Sequence, residues 1–163
     1  VFCSIYVYCS LQNISKIFIF FIHCGKNIIW CFFKNIKITN LTDPDIYLLS
    51  DQNTTNTIFR NLISNAIKFT YELGEISIYS QLASNEKINI CVEDSGIGMN
   101  KNLLENLFRL DVETNREGTE EEPSSGLGLI LCKEFAEKQG GKIWAESEVG
   151  RGSTFYVTIP SKA

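Results

Sequence analysis

Histidine is nearly missing from this chain of 163 residues: His23 is the only one. An imidazole-based zinc site therefore lacks ligands, and the cysteines do not make up the shortfall. Cys3, Cys9, Cys24, Cys31, Cys91 and Cys132 form no CxxC pair, which also excludes a CxxC redox motif. A reducing, cytosolic setting is the simpler expectation. Clustered positive charge is lacking too. The chain has 15 Lys and Arg against 19 Asp and Glu, a net charge of −4, and no basic stripe that could track a phosphate backbone. Nucleic acid is thus not an expected partner. No apolar run reaches the roughly 20 residues that a membrane-spanning helix needs. The strongest, residues 17–22 (IFIFFI), is broken by His23, Gly25, Lys26 and Asn27. A secretory signal is not expected either, because a basic start, one clean apolar block and a small-residue cleavage site are all wanting.

What is present suits one domain. The chain opens on Val1 rather than Met, and residues 1–33 read as an apolar segment of unknown role, the remnant of a longer protein. The domain is expected over 34–163. Short strands are predicted at 35–39 and 45–50, separated by Thr42, Asp43 and Pro44. A helix follows, capped by Asp51, Asn53 or Thr54, with Ile58, Phe59, Leu62, Ile63, Ala66 and Ile67 at helical spacing up to Phe69. Alternation predicts a strand pair at 75–82 and 87–92. A loop-rich stretch from 93 to 125 holds a short helix at 102–108 and a polar, Glu-rich tract. A second helix over 127–139 ends at Gly140 and Gly141, and strands at 142–146 and 153–159 close the sequence. This alternation describes an α/β layer, a mixed sheet with helices on one face.

Four constellations could carry chemistry. Asn61, Asn65 and Lys68 share a helical stripe roughly 60° wide, opposite the apolar residues. Carboxamide oxygens suit Mg²⁺ and an ammonium suits phosphate, although a stripe like this, taken alone, reads more readily as a solvated helix face. Asp94-Ser95-Gly96-Ile97-Gly98-Met99 follows an apolar strand. Its carboxylate can accept from an amino group while its glycines let backbone lie against a flat ring, as adenine requires; a tight turn with a capping Asp is the plainer alternative. Gly126-Leu127-Gly128-Leu129 opens a helix, where bare N–H groups and the positive helix end attract anions. Gly150-Arg151-Gly152-Ser153-Thr154-Phe155 reads alone as a hairpin. The polar tract 111–125 is suited to act as a lid closing over bound phosphates.

Together the strings NLISNAIKFT, DSGIGM, LFRL, GLGL and GRGSTF, in this order, resemble the asparagine, phenylalanine and three glycine boxes of sensor histidine kinases. Those kinases belong to the GHKL group, named for gyrase, heat-shock protein 90, histidine kinases and MutL, and the resemblance spans about 35–160. It implies a two-layer α/β sandwich of that type, with a mixed sheet, helices on one face and a flexible ATP lid.

It further implies ATP and Mg²⁺ as cofactors and phosphoryl transfer as the reaction. In that reading Asn65 coordinates the metal, Asn61 assists at the phosphates and Lys68 contacts a phosphate oxygen. Asp94 takes the adenine amino group, Gly96, Gly98 and Met99 shape the base pocket, and Phe108 anchors the lid. Gly126, Leu127, Gly128 and Leu129 meet the phosphates, and Thr154 supports Asp94 through a water. Hydrolysing members of the group place a Glu base where Asn61 stands; an amide cannot remove a proton from water, which favours transfer over hydrolysis. His23 departs from the family pattern. FFIHCGKN has neither the acidic neighbour nor the Pro of a phosphoacceptor site. The histidine-bearing dimerisation hairpin is therefore expected from a missing segment or another chain, and a response-regulator receiver domain downstream. A membrane anchor would belong to a longer parent protein. The alternative is a non-catalytic nucleotide-binding module derived from such a kinase.

Overall fold

A computed structural model of the chain describes residues 7–10, 34–43, 45–84, 86–112, 118–119 and 126–162. Among these, the strands are β1 (Val7–Ser10), β2 (Lys37–Leu41), β3 (Tyr47–Ser50), β4 (Glu75–Ser84), β5 (Lys87–Asp94), β6 (Lys142–Glu148) and β7 (Gly152–Lys162). The helices are α1 (Gln52–Phe69), α2 (Lys101–Asn106) and α3 (Leu127–Lys138). Strand order is β1-β3-β7-β5-β4-β2, with β6 also paired to β7. Only β2 and β4 run parallel among these pairs; the others are antiparallel, so the sheet is mixed as expected.

The period-two rule explains which face holds the core. Ile76 and Ile78 of β4, Ile88, Ile90 and Val92 of β5, and Phe155, Val157 and Ile159 of β7 are all buried. The register pairs Ile90 with Val157 and Val92 with both Ile78 and Phe155, placing these side chains on one face. Helices α1 and α3 cover that face. The opposite face carries Trp144 stacked on Tyr156, ring centroids 5.0 Å apart.

Helix α1 forms where its apolar stripe predicts. Ile58, Phe59, Leu62, Ile63, Ala66 and Ile67 are buried without exception. Asp51 caps it, accepting from Thr54 N at 2.8 Å. Thr70 stops it by turning its own N–H and hydroxyl onto Ala66 O, at 3.0 and 2.6 Å.

Most elements lie within a few residues of their sequence-based bounds. Strand β1 is the exception, because it lies in a segment to which patterning assigned no element. It pairs antiparallel with β3, Val7 opposite Ser50, so the sheet extends outside 34–163. His23 and most of the expected lid, residues 113–117 and 120–125, lie outside the described residues. No helix among the described residues is long and apolar enough to cross a membrane.

Candidate functional site

Helix α1 is the wall against which the other motif segments gather. Its middle meets α3: Asn61 Nδ2 donates to Thr57 O at 3.1 Å, and a β-carbon added to Gly128 would lie 3.1 Å from Asn61 Oδ1. Its end meets the loop after β5, because Ile97 N donates to Phe69 O at 3.0 Å. A β-carbon on Gly96 would stand 2.2 Å from that same Phe69 oxygen. One helix thus touches both glycine segments. Asn65 and Lys68, both partly exposed, lie on α1 between these two contacts, and Lys68 Nζ stands 5.3 Å from the Phe69 ring centroid.

Asp94 ends β5 with only 5% of its surface exposed. Its Oδ1 accepts from Gly96 N at 2.9 Å, which bends the chain into the 95–98 loop. The turn between β6 and β7 seats directly on that loop. Gly150 N donates to Ile97 O at 2.9 Å. Gly98 and Gly152 adopt left-handed φ values of 63° and 95°. A β-carbon would fall 1.9 Å from Glu148 O at the first and 1.8 Å from Asp94 O at the second. Only glycine fits either point. Met99 is buried, and its N–H donates to Ser147 Oγ at 2.8 Å. Ser147 in turn donates to Gly152 O at 2.8 Å and lies 3.0 Å from Ser153 Oγ.

Register corrects one expectation. Ser153 pairs with Asp94 and Thr154 with Glu93, so alternation turns Thr154 to the opposite face, where its hydroxyl meets Tyr156. Thr154 is therefore not placed to support Asp94. Ser153, which sequence reasoning passed over along with Ser147, shares the Asp94 face. Only the pairing of β7 with β5 reveals it.

Phe108, half-buried after α2, packs on the core beside the buried Leu107. Gly126, at φ 68°, caps α3 and brings no side chain to its first N–H groups. Leu127 is exposed, whereas Leu129 packs against the core. Behind this turn lies Cys132. Burial pushes its thiol up to about 12, against a smaller opposing effect of a hydrogen bond with Asn61. The described residues contain no cluster of three or more His, Cys, Asp or Glu able to cage a metal.

The comparisons with known proteins fit this geometry. Residues 50–163 match the family described as Histidine kinase-, DNA gyrase B-, and HSP90-like ATPase. The catalytic domain of the histidine kinase ThkA, in nucleotide-free form, superposes with a TM-score of 0.77 at 26% identity, covering 96% of this chain and 97% of that one. The sensor histidine kinase WalK of Bacillus subtilis is 36% identical over 126 residues, 77% of this chain and 21% of WalK. The autoinducer 2 sensor kinase/phosphatase LuxQ of Vibrio vulnificus is 40% identical over 131 residues, 77% of this chain and 15% of LuxQ. The chain belongs to the histidine kinase-, DNA gyrase B- and HSP90-like ATPase family. Within it, the chain corresponds to the ATP-binding catalytic domain of sensor histidine kinases, and spans about a fifth or less of these two relatives.

Proposed function

We propose that this chain binds MgATP between α1, the 95–98 loop and the first turn of α3, and positions it for phosphoryl transfer to a histidine supplied by another segment or chain. The contact of α1 with both glycine segments, through Phe69 O and through Asn61, carries this reading. The buried Asp94 carboxylate accepts from the adenine amino group while Gly96 and Gly98 keep the base wall flat. Ser153 holds the Asp94 side of the pocket through Ser147. Asn65 offers its amide oxygen to magnesium, and Lys68 and the N–H groups after Gly126 face phosphate oxygens. Bound magnesium would offset charge on the phosphates. Asn61, an amide already donating to Thr57 O, has no basic group with which to deprotonate water, and this favours transfer over hydrolysis.

The expected acceptor is a histidine-bearing dimerisation hairpin, and the expected downstream partner is a response-regulator receiver domain. ThkA has been solved in complex with the response regulator TrrA, which supports the second expectation. A cytosolic location follows from the need for ATP. Mixing the chain with a separate hairpin domain and radiolabelled ATP tests the proposal. Label on the hairpin histidine supports a kinase domain; tight MgATP binding without transfer points instead to a non-catalytic module; steady phosphate release points to an ATPase.

A further inference from the structure

Lys34 belongs to none of the motif strings, yet only 2% of it is exposed. A buried ammonium is costly unless its donors are matched. Lys34 Nζ donates to Ile67 O at 3.2 Å, Lys68 O at 3.1 Å and Thr119 Oγ1 at 2.6 Å. Two of these acceptors are last-turn carbonyls of α1, groups with no partner inside the helix, at its negative end. Thr119 reaches the same place from the connection between α2 and α3. Its N–H donates to Lys68 O at 3.1 Å, and its hydroxyl lies 3.2 Å from both Lys68 O and Thr70 O.

The backbone that delivers Lys34 is strained. Asn35 sits at φ 48°, and Leu73, whose N–H holds Lys34 O at 2.8 Å, sits at φ 63°. Leucine enters that left-handed region only where surrounding contacts fix it. Strain and burial thus converge on one ammonium, and that ammonium joins two segments far apart in sequence. One is the turn of α1 that bears Lys68. The other leads on to Gly126.

We infer that Lys34 and Thr119 form a latch that closes over the last turn of α1 behind Lys68, making Lys34 a positioning residue for nucleotide binding. This rests on the proposed MgATP site. Lys34 acts through the Lys68 carbonyl and through Thr119, not by touching nucleotide. Holding the last turn of α1 in place lowers the ordering needed when phosphates meet Lys68.

The test uses the whole chain, at a temperature where circular dichroism shows every variant folded, with MgATP titrated by calorimetry. Thr119→Val and Lys34→Met should each weaken MgATP about tenfold, an effect of preorganisation. Thr119→Ser, which keeps the hydroxyl, should bind as the unaltered chain does. The double variant should be no weaker than either single one, because both changes open the same latch. Should Lys34→Met fail to fold, the Thr119→Val and Thr119→Ser pair decides. Unchanged MgATP affinity in Thr119→Val, with normal binding by the unaltered chain, would overturn the latch alone. No binding by the unaltered chain would overturn the nucleotide site and the latch with it.

Discussion

The amide oxygen of Asn61 stands so close to Gly128 that a β-carbon added there would approach it to 3.1 Å. Two motif segments 67 positions apart in the chain, 128 minus 61, therefore share one contact, and the first turn of α3 is set by a side chain of α1.

Gly128→Ala separates binding from stability at this contact. Alanine favours a helix over glycine by about 1 kcal/mol, which offsets the slight crowding, so the urea midpoint should stay level or rise. MgATP affinity should fall roughly tenfold as Asn61 is displaced, a loss of about 1.4 kcal/mol. Equal affinity in the two proteins would show that this contact has no part in binding.

Asp94→Asn should leave the fold intact, because the amide oxygen can still accept from Gly96 N. Nucleotide affinity should nevertheless drop by about 1.5 to 3 kcal/mol, the range for hydrogen bonds to charged groups. Asp94→Ala loses the Gly96 bond as well and should also lower stability by about 1–3 kcal/mol. Chemical denaturation beside calorimetric titration reads both effects; a variant pair alike in stability and binding would argue against this role for Asp94.

Gly150 and Gly152 share one turn and left-handed φ values of 77° and 95°, yet their surroundings differ. Around Gly150 a β-carbon meets nothing within 4 Å, whereas at Gly152 it would strike Asp94 O. Gly150→Ala should cost about 1–2 kcal/mol, the penalty of the left-handed conformation alone. Gly152→Ala should cost clearly more or prevent folding. Equal denaturation midpoints would contradict the close approach.

Buried thiols give a pH signature. Burial lifts Cys91 from 9.0 to about 11 and Cys132 from 9.0 to about 12. Both raised values favour the protonated native state. Their contribution is complete below about pH 9 and is lost as pH climbs through 11 to 12. Tyr79, raised by burial and then by Glu93, acts in the same direction. Urea midpoints should fall steeply across this window, and less steeply in Cys91→Ser and Cys132→Ser. Identical slopes in all three proteins would refute this.

Much of this molecule is legible from its residues. The apolar stripe of α1 marks its bounds and its inward face, because a 3.6-residue period leaves few alternatives over 18 residues. Strand β5 alternates clearly enough to fix its core face. What escapes is whatever depends on partners far along the chain. GRGSTF offers two neighbouring hydroxyls, and only the pairing of β7 with β5 decides that Ser153 rather than Thr154 shares the Asp94 face. Lys34 reads as an ordinary surface lysine until the fold brings Thr119, 85 positions away, against it. Strand β1 carries no such period in its four residues and is defined by β3.

Gly96 against Phe69 O, Gly98 against Glu148 O and Gly152 against Asp94 O make the floor beneath Asp94 a set of backbone contacts too close to admit any side chain. Nothing there can be lengthened, trimmed or recharged by a point mutation. Evolution has no dial at this spot, so diversification among descendants of such a domain must be written in the rim, and an inhibitor that leans chiefly on the floor would meet resistance only from changes elsewhere.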